Sequence, residues 1–334
     1  MLPRVTVITT GGTIASRVDA ETGAAIPVVS GAELVALVPE IGQLADIDVR
    51  ELSLVPSWEF TVPYMHKIGD AVRAAFAVGA NGVVITQGTD TLEETAFWLD
   101  LTLDVVALGG PAVITGAMRN NSETGADGPR NLADAVRVAA EGANGFTVPV
   151  FVANSQIHAG RFVAKTDSFN PAAFQSPGHG PIGAVYGEVV TRTGNPTALA
   201  TLPVTDPSSR VPLVTWAAGM DDLFLRACLE ADVDGVVIAG TGLGHIPGAC
   251  VPAVAVLRER GIPVVVTTRC QSGPALAVYG GPGGGRDLIE MGCLLAAGLS
   301  GVKSRLLLIA GLGAGLDEAG LRVLFAGPRG TVTV

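Results

Sequence analysis

Two stretches of the sequence place hydroxyl, amide and carboxylate side chains directly after a short apolar run. The apolar runs are Val5–Ile8 and Val83–Ile85, and both are typical of buried β-strands. Ligands of open α/β sheets bind beyond the carboxyl ends of the strands, so we expect the polar groups to form one small-molecule site. These polar groups are Thr9, Thr10 and Thr13 after the first run, and Thr86, Gln87, Thr89 and Asp90 after the second.

Simpler explanations cover only part of this polarity. Thr91 and Glu94 have the spacing of a helix capping box, which predicts that a helix begins at Leu92. Capping does not explain the polar residues before Thr91. The turn Gly11–Thr13 is also compatible with phosphate binding, but neither a Walker lysine nor a G-x-G-x-x-G pattern accompanies it. The spacing favours a site whose chemistry these two stretches alone leave open.

A third stretch, His158–Phe174, contributes a lysine in a largely uncharged setting. Considered alone, Lys165 is most simply a solvated side chain. A lysine that is desolvated beside other groups can instead lose its proton near neutral pH and act as a base. A threonine hydroxyl is a weak nucleophile until a base removes its proton. A threonine, Lys165 and Asp90 are therefore a workable catalytic set, in which Asp90 orients the lysine.

The elements that must position these residues follow from the alternation of apolar runs with segments of helical spacing. Runs rich in Val and Ile that do not alternate with polar residues are typical of parallel strands buried on both faces, so the sequence predicts the α/β class. Strands are predicted at Val5–Ile8, Val83–Ile85, Ala112–Ile114, Val148–Val152, Leu213–Val214, Val236–Ile238 and Val264–Val266. Helices are predicted at Met65–Val78, Leu92–Leu103, Asn131–Glu141, Asp221–Glu230 and Pro252–Arg260.

The alternation is interrupted once, by a segment rich in Pro, Ser and Thr at residues 191–212. Such a composition is typical of a linker between domains. We therefore expect a larger N-terminal α/β domain at residues 1–190, which carries most of the site, and a smaller α/β domain at 213–334. The glycines of Gly311–Gly315 follow a predicted helix and lack a later acidic partner, so we interpret them as a helix end and not as a dinucleotide-binding turn.

The composition excludes several classes of protein. The formal net charge is −10 without a long basic run, which argues against nucleic-acid and acidic-membrane partners. No apolar stretch reaches the roughly 20 residues of a membrane-spanning helix. The N-terminal segment has no signal-peptide pattern, which favours a cytoplasmic location. We expect no metal site, because the four histidines are scattered. We expect reduced thiols, because no CxxC pair occurs among Cys228, Cys250, Cys270 and Cys293.

Four motifs together carry a resemblance to a known family. They are TTGGTIAS (9–16), ITQGTDTLEETA (85–96), GAMRNNSETGADGPRNL (116–132) and GRFVAKTDSFNPAAF (160–174), and segments 234–247 and 267–273 agree in outline. With these motifs the sequence resembles the bacterial L-asparaginases, which convert L-asparagine to L-aspartate and ammonia. The resemblance implies a mostly parallel sheet in the larger domain and a flavodoxin-like smaller domain. It also implies a homotetramer built from intimate dimers, and no cofactor.

The resemblance also assigns roles to individual residues. Thr13 is implied to lie on a mobile lid and to be the favoured nucleophile, whereas Thr89, Asp90 and Lys165 form a deeper set that handles a water or a proton. All four are implied to be catalytic, because the resemblance leaves open which threonine attacks. The implied substrate-binding residues are Ser57, Trp58, Asp90, Ala117, His245 and Tyr279. Among these, Ser57 binds the α-carboxylate, Asp90 meets the α-ammonium, and His245 lies near the site of a neighbouring subunit.

Three departures from the family pattern affect substrate range. No tyrosine stands in the lid, where Ile26 falls near its position, and no acidic residue follows RCQSG. The usual glutamine after the carboxylate-binding serine is replaced by Trp58. One hypothesis is that Tyr279 of a neighbouring subunit approaches Thr13, although a packing role fits Tyr279 equally well. The alternatives to an L-asparaginase are a glutaminase-asparaginase that also takes L-glutamine, an amidase for a larger amide, and a non-catalytic amino-acid-binding protein.

Overall fold

The chain divides into two compact units, Met1–Thr201 and Leu202–Val334. The computed structural model describes residues 1–19, 21–296 and 298–328. The boundary falls inside the segment 191–212 for which we expect a linker, and the first two residues of that segment belong to the last strand of the first unit. Both units are mixed α/β structures, so the predicted fold class is confirmed.

Over its described residues, the first unit contains twelve strands and six helices. Its strands are β1 Arg4–Thr9, β2 Ser16–Val18, β3 Ala25–Pro27, β4 Asp46–Glu51, β5 Gly82–Thr86, β6 Ala112–Thr115, β7 Val150–Ala153, β8 Gln156–Ala159, β9 Ala164–Lys165, β10 Phe174–Gln175, β11 Gly183–Tyr186 and β12 Val189–Arg192. Its helices are α1 Gly31–Ala36, α2 Ile41–Leu44, α3 Val62–Ala77, α4 Leu92–Thr102, α5 Val105–Leu108 and α6 Gly128–Ala139. Short 3₁₀ turns lie at Thr13–Ala15, Ser57–Glu59, Thr89–Thr91 and Gly142–Asn144.

Eight of these strands form one sheet in the order β12-β11-β8-β7-β6-β5-β1-β4. The strands from β4 to β7 in this order are parallel to their neighbours, and β8, β11 and β12 extend the sheet with antiparallel pairs. The registers align Thr9 of β1 with Thr86 of β5, and Thr86 with Thr115 of β6. The carboxyl ends of three adjacent parallel strands therefore meet at one edge, where the polar turns emerge.

Uninterrupted apolar runs form the central strands because both faces of the sheet are covered. Val84 of β5 packs in a core cluster with Leu132 of α6, on one face. The next residue, Ile85, packs with Ile68 of α3 and Leu99 of α4 on the other face. All residues of β5 and β6 are buried, and the central helices α3, α4 and α6 lie where the helical spacing predicts them.

The second unit contains a four-stranded parallel sheet in the order β13-β14-β15-β16. These strands are β13 Leu213–Thr215, β14 Val236–Gly240, β15 Val264–Thr268 and β16 Leu294–Leu295. The helices of this unit are α7 Leu223–Glu230, α8 Val251–Glu259, α9 Gly285–Glu290, α10 Gly301–Gly313 and α11 Glu318–Ala326, with a 3₁₀ turn at Gly248–Cys250. The smaller parallel-sheet domain is therefore confirmed.

The glycine-rich segment Gly311–Gly315 belongs to helix packing. Gly311 lies within α10, and a Cβ built on it would stand 2.7 Å from Cδ2 of Leu321 in α11. Gly315 follows the helix with a φ of 74°, a conformation that glycine adopts without strain. The interpretation as a helix end is confirmed.

Three expectations concern features spread over the whole chain. All four cysteines are free thiols, and only Cys270 is exposed. Over residues 1–19, 21–296 and 298–328, no helix is long and apolar enough to cross a membrane. Within the same described ranges, no group of three or more His, Cys, Asp or Glu side chains could hold a metal ion.

A buried histidine gives the first unit a predictable dependence on pH. His158 of β8 is 1% exposed, and its Nδ1 lies 2.9 Å from the Ser176 hydroxyl while Nε2 lies 3.2 Å from Oε1 of Gln156. Since an amide oxygen only accepts, Nε2 donates to Gln156, and the Ser176 hydroxyl can donate to Nδ1 of the neutral ring. Burial lowers the pKa of His158 to about 4.

This shift predicts a loss of stability on mild acidification. The unfolded chain binds a proton at His158 near pH 6.5 and the folded chain only near pH 4. The free energy of unfolding is therefore unaffected by this titration above pH 6.5 and decreases as the pH falls toward 4. Between pH 7 and pH 5, the loss in the free energy of unfolding should be about 2 kcal/mol. Urea unfolding of the wild type and His158→Asn at both pH values measures it, and an equal pH dependence of the two proteins would contradict the prediction.

Candidate functional site

Two glycines bring the turns after β1 and β5 into direct contact. Gly12 has a φ of 85°, and a Cβ built on it would lie 2.1 Å from the Cα of Gly88. No side chain fits between two backbones at that separation, so only glycine is compatible with position 12. Thr13 and Thr89, which follow these glycines, therefore extend from backbones that touch at the carboxyl edge of the sheet. Thr13 begins a 3₁₀ turn and is half-buried.

Lys165 joins Thr89 and Asp90 in one hydrogen-bonded cluster. Its Nζ donates to Oγ1 of Thr89 at 2.9 Å and to Oδ1 of Asp90 at 2.8 Å. The side chain of Lys165 is 17% exposed, and that of Asp90 is 49% exposed. The structure therefore brings together three of the four residues for which we expect catalysis. Lys165 lies more than 70 residues from Thr89 and from Asp90 in the sequence.

This cluster can move a proton. The 2.9 Å contact between Oγ1 of Thr89 and Nζ is short enough for a proton to pass between the hydroxyl and the amine. The carboxylate of Asp90 balances the ammonium charge that results and fixes the direction of the lysine side chain. Thr89 as a whole residue is 6% exposed, so few water molecules compete for the contact.

The turn that carries Ser57 is tied to the same segment. Oγ of Ser57 accepts the N–H of Asp90 at 3.1 Å, and the hydroxyl of Thr91 donates to the carbonyl of Ser57 at 2.8 Å. Thr91 is the N-cap of α4 but makes no side-chain capping bond there. The predicted capping box of Thr91 and Glu94 is therefore wrong, because the Thr91 hydroxyl is committed to the Ser57 turn.

A third segment, after β6, packs beside Thr89. A Cβ built on Gly116 would lie 3.2 Å from Cγ2 of Thr89, and the adjacent Ala117 is 1% exposed. Asp127 accepts the backbone N–H groups of the next two residues, Met118 at 3.0 Å and Arg119 at 2.9 Å. Asp127 therefore shapes the turn that presents Ala117, and our sequence analysis did not single it out.

Another pair of residues that the sequence did not reveal, Ser53 and Tyr64, holds the turn after β1 through hydrogen bonds. The hydroxyl of Ser53 donates to the carbonyl of Thr10 at 3.0 Å, and the hydroxyl of Tyr64 lies 2.5 Å from Oγ of Ser53. Since Ser53 has only one hydroxyl hydrogen, Tyr64 is the donor of the second bond. Burial raises the pKa of Tyr64, which keeps that donor protonated. The backbone just before Gly11–Thr13 is thereby fixed.

A short hairpin of β2 and β3 follows Thr13. Ile26 lies opposite Arg17 in this hairpin and is 39% exposed, so the side chain near which the resemblance predicts a tyrosine is apolar and partly accessible. Asn121 anchors the start of the hairpin, because its Nδ2 donates to the carbonyl of Ile14 at 2.6 Å. Trp58, on the Ser57 turn, is 69% exposed.

The two remaining candidates lie in the second unit. His245 follows β14 and stacks edge-on against the ring of Tyr279, with 5.3 Å between ring centroids. Tyr279 is 62% exposed, and the sequence around it turns through several glycines. The structure thus brings His245 and Tyr279 to each other, and their role toward a neighbouring subunit stays a prediction.

A threonine hydroxyl in contact with a lysine amine, at the carboxyl edge of an α/β sheet, indicates an enzyme site for a small molecule. Comparison with known families makes this specific. Residues 4–197 match the N-terminal domain model of asparaginases, and residues 210–325 match the glutaminase/asparaginase C-terminal domain model. The chain belongs to the asparaginase family and is an amidohydrolase.

Individual relatives agree with this family. The chain is 35% identical over 330 residues to a probable L-asparaginase of Deinococcus radiodurans, with 97% of both chains covered. It is 32% identical to an L-asparaginase of Bacillus licheniformis, covering 92% of this chain and 94% of the relative. It is also 33% identical to one of the subunits of the glutamyl-tRNA(Gln) amidotransferase of Pyrococcus abyssi, covering 88% of this chain and 68% of that protein.

A solved structure is similar over nearly the whole chain. It is that of a probable cytoplasmic L-asparaginase from Campylobacter jejuni, at a TM-score of 0.85 and 29% identity. The similarity covers 97% of this chain and 99% of the other.

Proposed function

We propose that this protein is an L-asparaginase, which hydrolyses the side-chain amide of L-asparagine to L-aspartate and ammonia. The observation that carries the proposal is the contact of Lys165 Nζ with both Thr89 and Asp90. A protein that only binds an amino acid needs no lysine at the threonine hydroxyl, whereas an amidohydrolase needs a group that takes up and returns a proton. The L-asparaginases among its relatives support the substrate.

The proposed reaction proceeds through an acyl-enzyme. Oγ1 of Thr13, the favoured nucleophile, attacks the amide carbon, its proton passes to the leaving nitrogen, and ammonia departs. Water then attacks the ester and releases aspartate, with Thr89 and Lys165 taking and returning the proton of that water. Stabilisation of the oxygen that becomes negative in each tetrahedral intermediate is assigned in this proposal to backbone N–H groups of the glycine-rich turns. Thr89 is the other candidate for the attacking hydroxyl.

The substrate carries two opposite charges, and the site has a group for each. Asp90 has an exposed carboxylate that receives the α-ammonium, while the turn at Ser57 receives the α-carboxylate. The amide end of a bound asparagine then points toward the threonines and the buried Ala117. Trp58, next to Ser57 on the same turn, borders the carboxylate end.

We further propose a homotetramer of intimate dimers, located in the cytoplasm, in which His245 and Tyr279 serve the site of a neighbouring subunit. Their ring contact and the exposure of Tyr279 fit a surface that meets a partner. The similarity to a probable cytoplasmic L-asparaginase of Campylobacter jejuni supports the location.

The second candidate function is a glutaminase-asparaginase. The exposed Trp58 and the apolar Ile26 hairpin favour it, because both change the surroundings of the substrate relative to the family pattern. The ratio of kcat/KM for L-asparagine and L-glutamine separates the two functions. We expect a preference for asparagine of at least about 10-fold, the discrimination that one methylene supports in a fitted pocket. Equal values would favour the glutaminase-asparaginase.

A further inference from the structure

The backbone of Lys165 is held by an acidic residue other than Asp90. Its N–H donates to Oε2 of Glu93 at 2.5 Å, a contact between residues 72 positions apart. Glu93 is half-buried in the first turn of α4, directly after the 3₁₀ turn that carries Thr89 and Asp90. The segment 89–93 therefore contacts Lys165 at two places, the Nζ atom of its side chain and the N–H of its backbone.

The strand that carries Lys165 needs this second contact. β9 has two residues and pairs with the two residues of β10, with Lys165 opposite Phe174. The N–H of Thr166 donates to the carbonyl of Ala173 at 2.8 Å. Because hydrogen-bonded and non-bonded pairs alternate in an antiparallel ladder, Lys165 and Phe174 form a non-bonded pair. The N–H of Lys165 therefore points away from β10, and Glu93 supplies the acceptor that it needs.

We propose that Glu93 is a positioning residue for amide hydrolysis, which fixes the backbone of Lys165 so that Nζ meets Thr89 and Asp90. This inference rests on the proposed catalytic role of Lys165. A two-residue strand holds its backbone weakly, and Nζ lies at the end of a flexible four-carbon stem. Displacement of a catalytic group by about 1 Å can reduce the rate about 100-fold.

Three substitutions at Glu93 test the acceptor geometry. Glu93→Ala removes the acceptor and should lower kcat about 100-fold, while KM for L-asparagine stays within about threefold because no substrate contact is lost. Glu93→Gln keeps an acceptor oxygen at the same reach and should restore kcat to within about fivefold of the wild type. Glu93→Asp keeps the charge but withdraws the oxygen by one methylene group, so its kcat should fall with that of the alanine variant.

Asp234→Ala is the matched control. Asp234 also accepts a backbone N–H through its carboxylate, that of Arg210 at 2.6 Å, but it lies in the second unit. Its loss should leave kcat unchanged. A kcat of Glu93→Ala equal to that of the wild type would overturn the proposal, as would a glutamine variant as slow as the alanine variant. If Glu93→Ala does not fold, full activity of Glu93→Asp overturns it instead.

Lys165→Met separates this proposal from the proposed function. If Lys165→Met is inactive while Glu93→Ala keeps full activity, only the positioning role of Glu93 fails. If Lys165→Met itself keeps wild-type turnover of L-asparagine, the catalytic role of the lysine fails and the positioning role fails with it.

Discussion

Replacement of Thr89 by valine is expected to reduce kcat for L-asparagine by at least about 10³-fold, the scale at which single residues of a catalytic set act. Valine has nearly the shape of threonine, so the buried position stays filled while Oγ1, the acceptor of the Lys165 bond, is removed. The hydroxyl is the group through which we expect the proton to reach Lys165. Steady-state kinetics measures the loss, and the thermal unfolding temperature shows whether the fold is kept.

Thr102→Val is the matched control for this substitution. Thr102 is 5% exposed at the end of α4, and its hydroxyl donates to the carbonyl of Trp98 at 2.8 Å. Its loss should leave kcat unchanged. If Thr89→Val retained turnover comparable to that of Thr102→Val, Thr89 would have no part in the chemistry.

Lys165→Met is expected to eliminate turnover of L-asparagine, with a fall in kcat of at least about 10³-fold and a much smaller change in KM. Methionine keeps an unbranched stem of similar length, so packing around the 17%-exposed side chain is preserved. The substitution removes the amine that we propose as the proton acceptor. Asp90 loses its partner, but it is half-exposed and water can solvate it, so we expect a stable fold.

The exposed Lys67 of α3 provides the control for a lost lysine charge. Its Nζ lies 6.0 Å from the centroid of the Tyr64 ring, and we expect Lys67→Met to retain full kcat. A defect of Lys165→Met confined to KM would identify Lys165 as a substrate-binding residue, and the base would then be a different group.

The central sheet was predictable because burial on both faces leaves an unambiguous signal in the sequence. β5 and β6 are apolar up to their terminal threonines, and β1 is buried from Val5 to Thr9 with Thr6 as its one polar residue between Val5 and Ile8, as is typical of parallel strands covered by helices. β4 gave no such signal, since this edge strand, Asp46–Glu51, alternates acidic and apolar residues as far as Val49 and ends in the charged pair Arg50 and Glu51. The antiparallel strands β11 and β12 are short, partly exposed hairpin strands, and their pairing depends on tertiary contacts.

The sequence predicts those parts of the site in which polar residues cluster along the chain. It does not predict hydrogen bonds between residues that are distant in the sequence. The stretches around Thr13 and Thr89 are dense in polar residues after buried strands, and sheet topology brings such ends together. Thr91 has the spacing of a cap, and only the folded structure shows that its hydroxyl donates to Ser57. The bond from Lys165 to Glu93 spans 72 residues, and nothing in either local sequence indicates it.

The most direct test of the proposed function is to measure ammonia and L-aspartate released from L-asparagine by the purified protein, with Lys165→Met assayed in parallel. The proposed function predicts equal molar amounts of the two products from the wild type. It predicts no release above the enzyme-free blank from the variant. A wild-type protein that releases no ammonia, or a variant that releases it at the wild-type rate, would contradict the proposal that the Thr89–Lys165–Asp90 cluster hydrolyses asparagine.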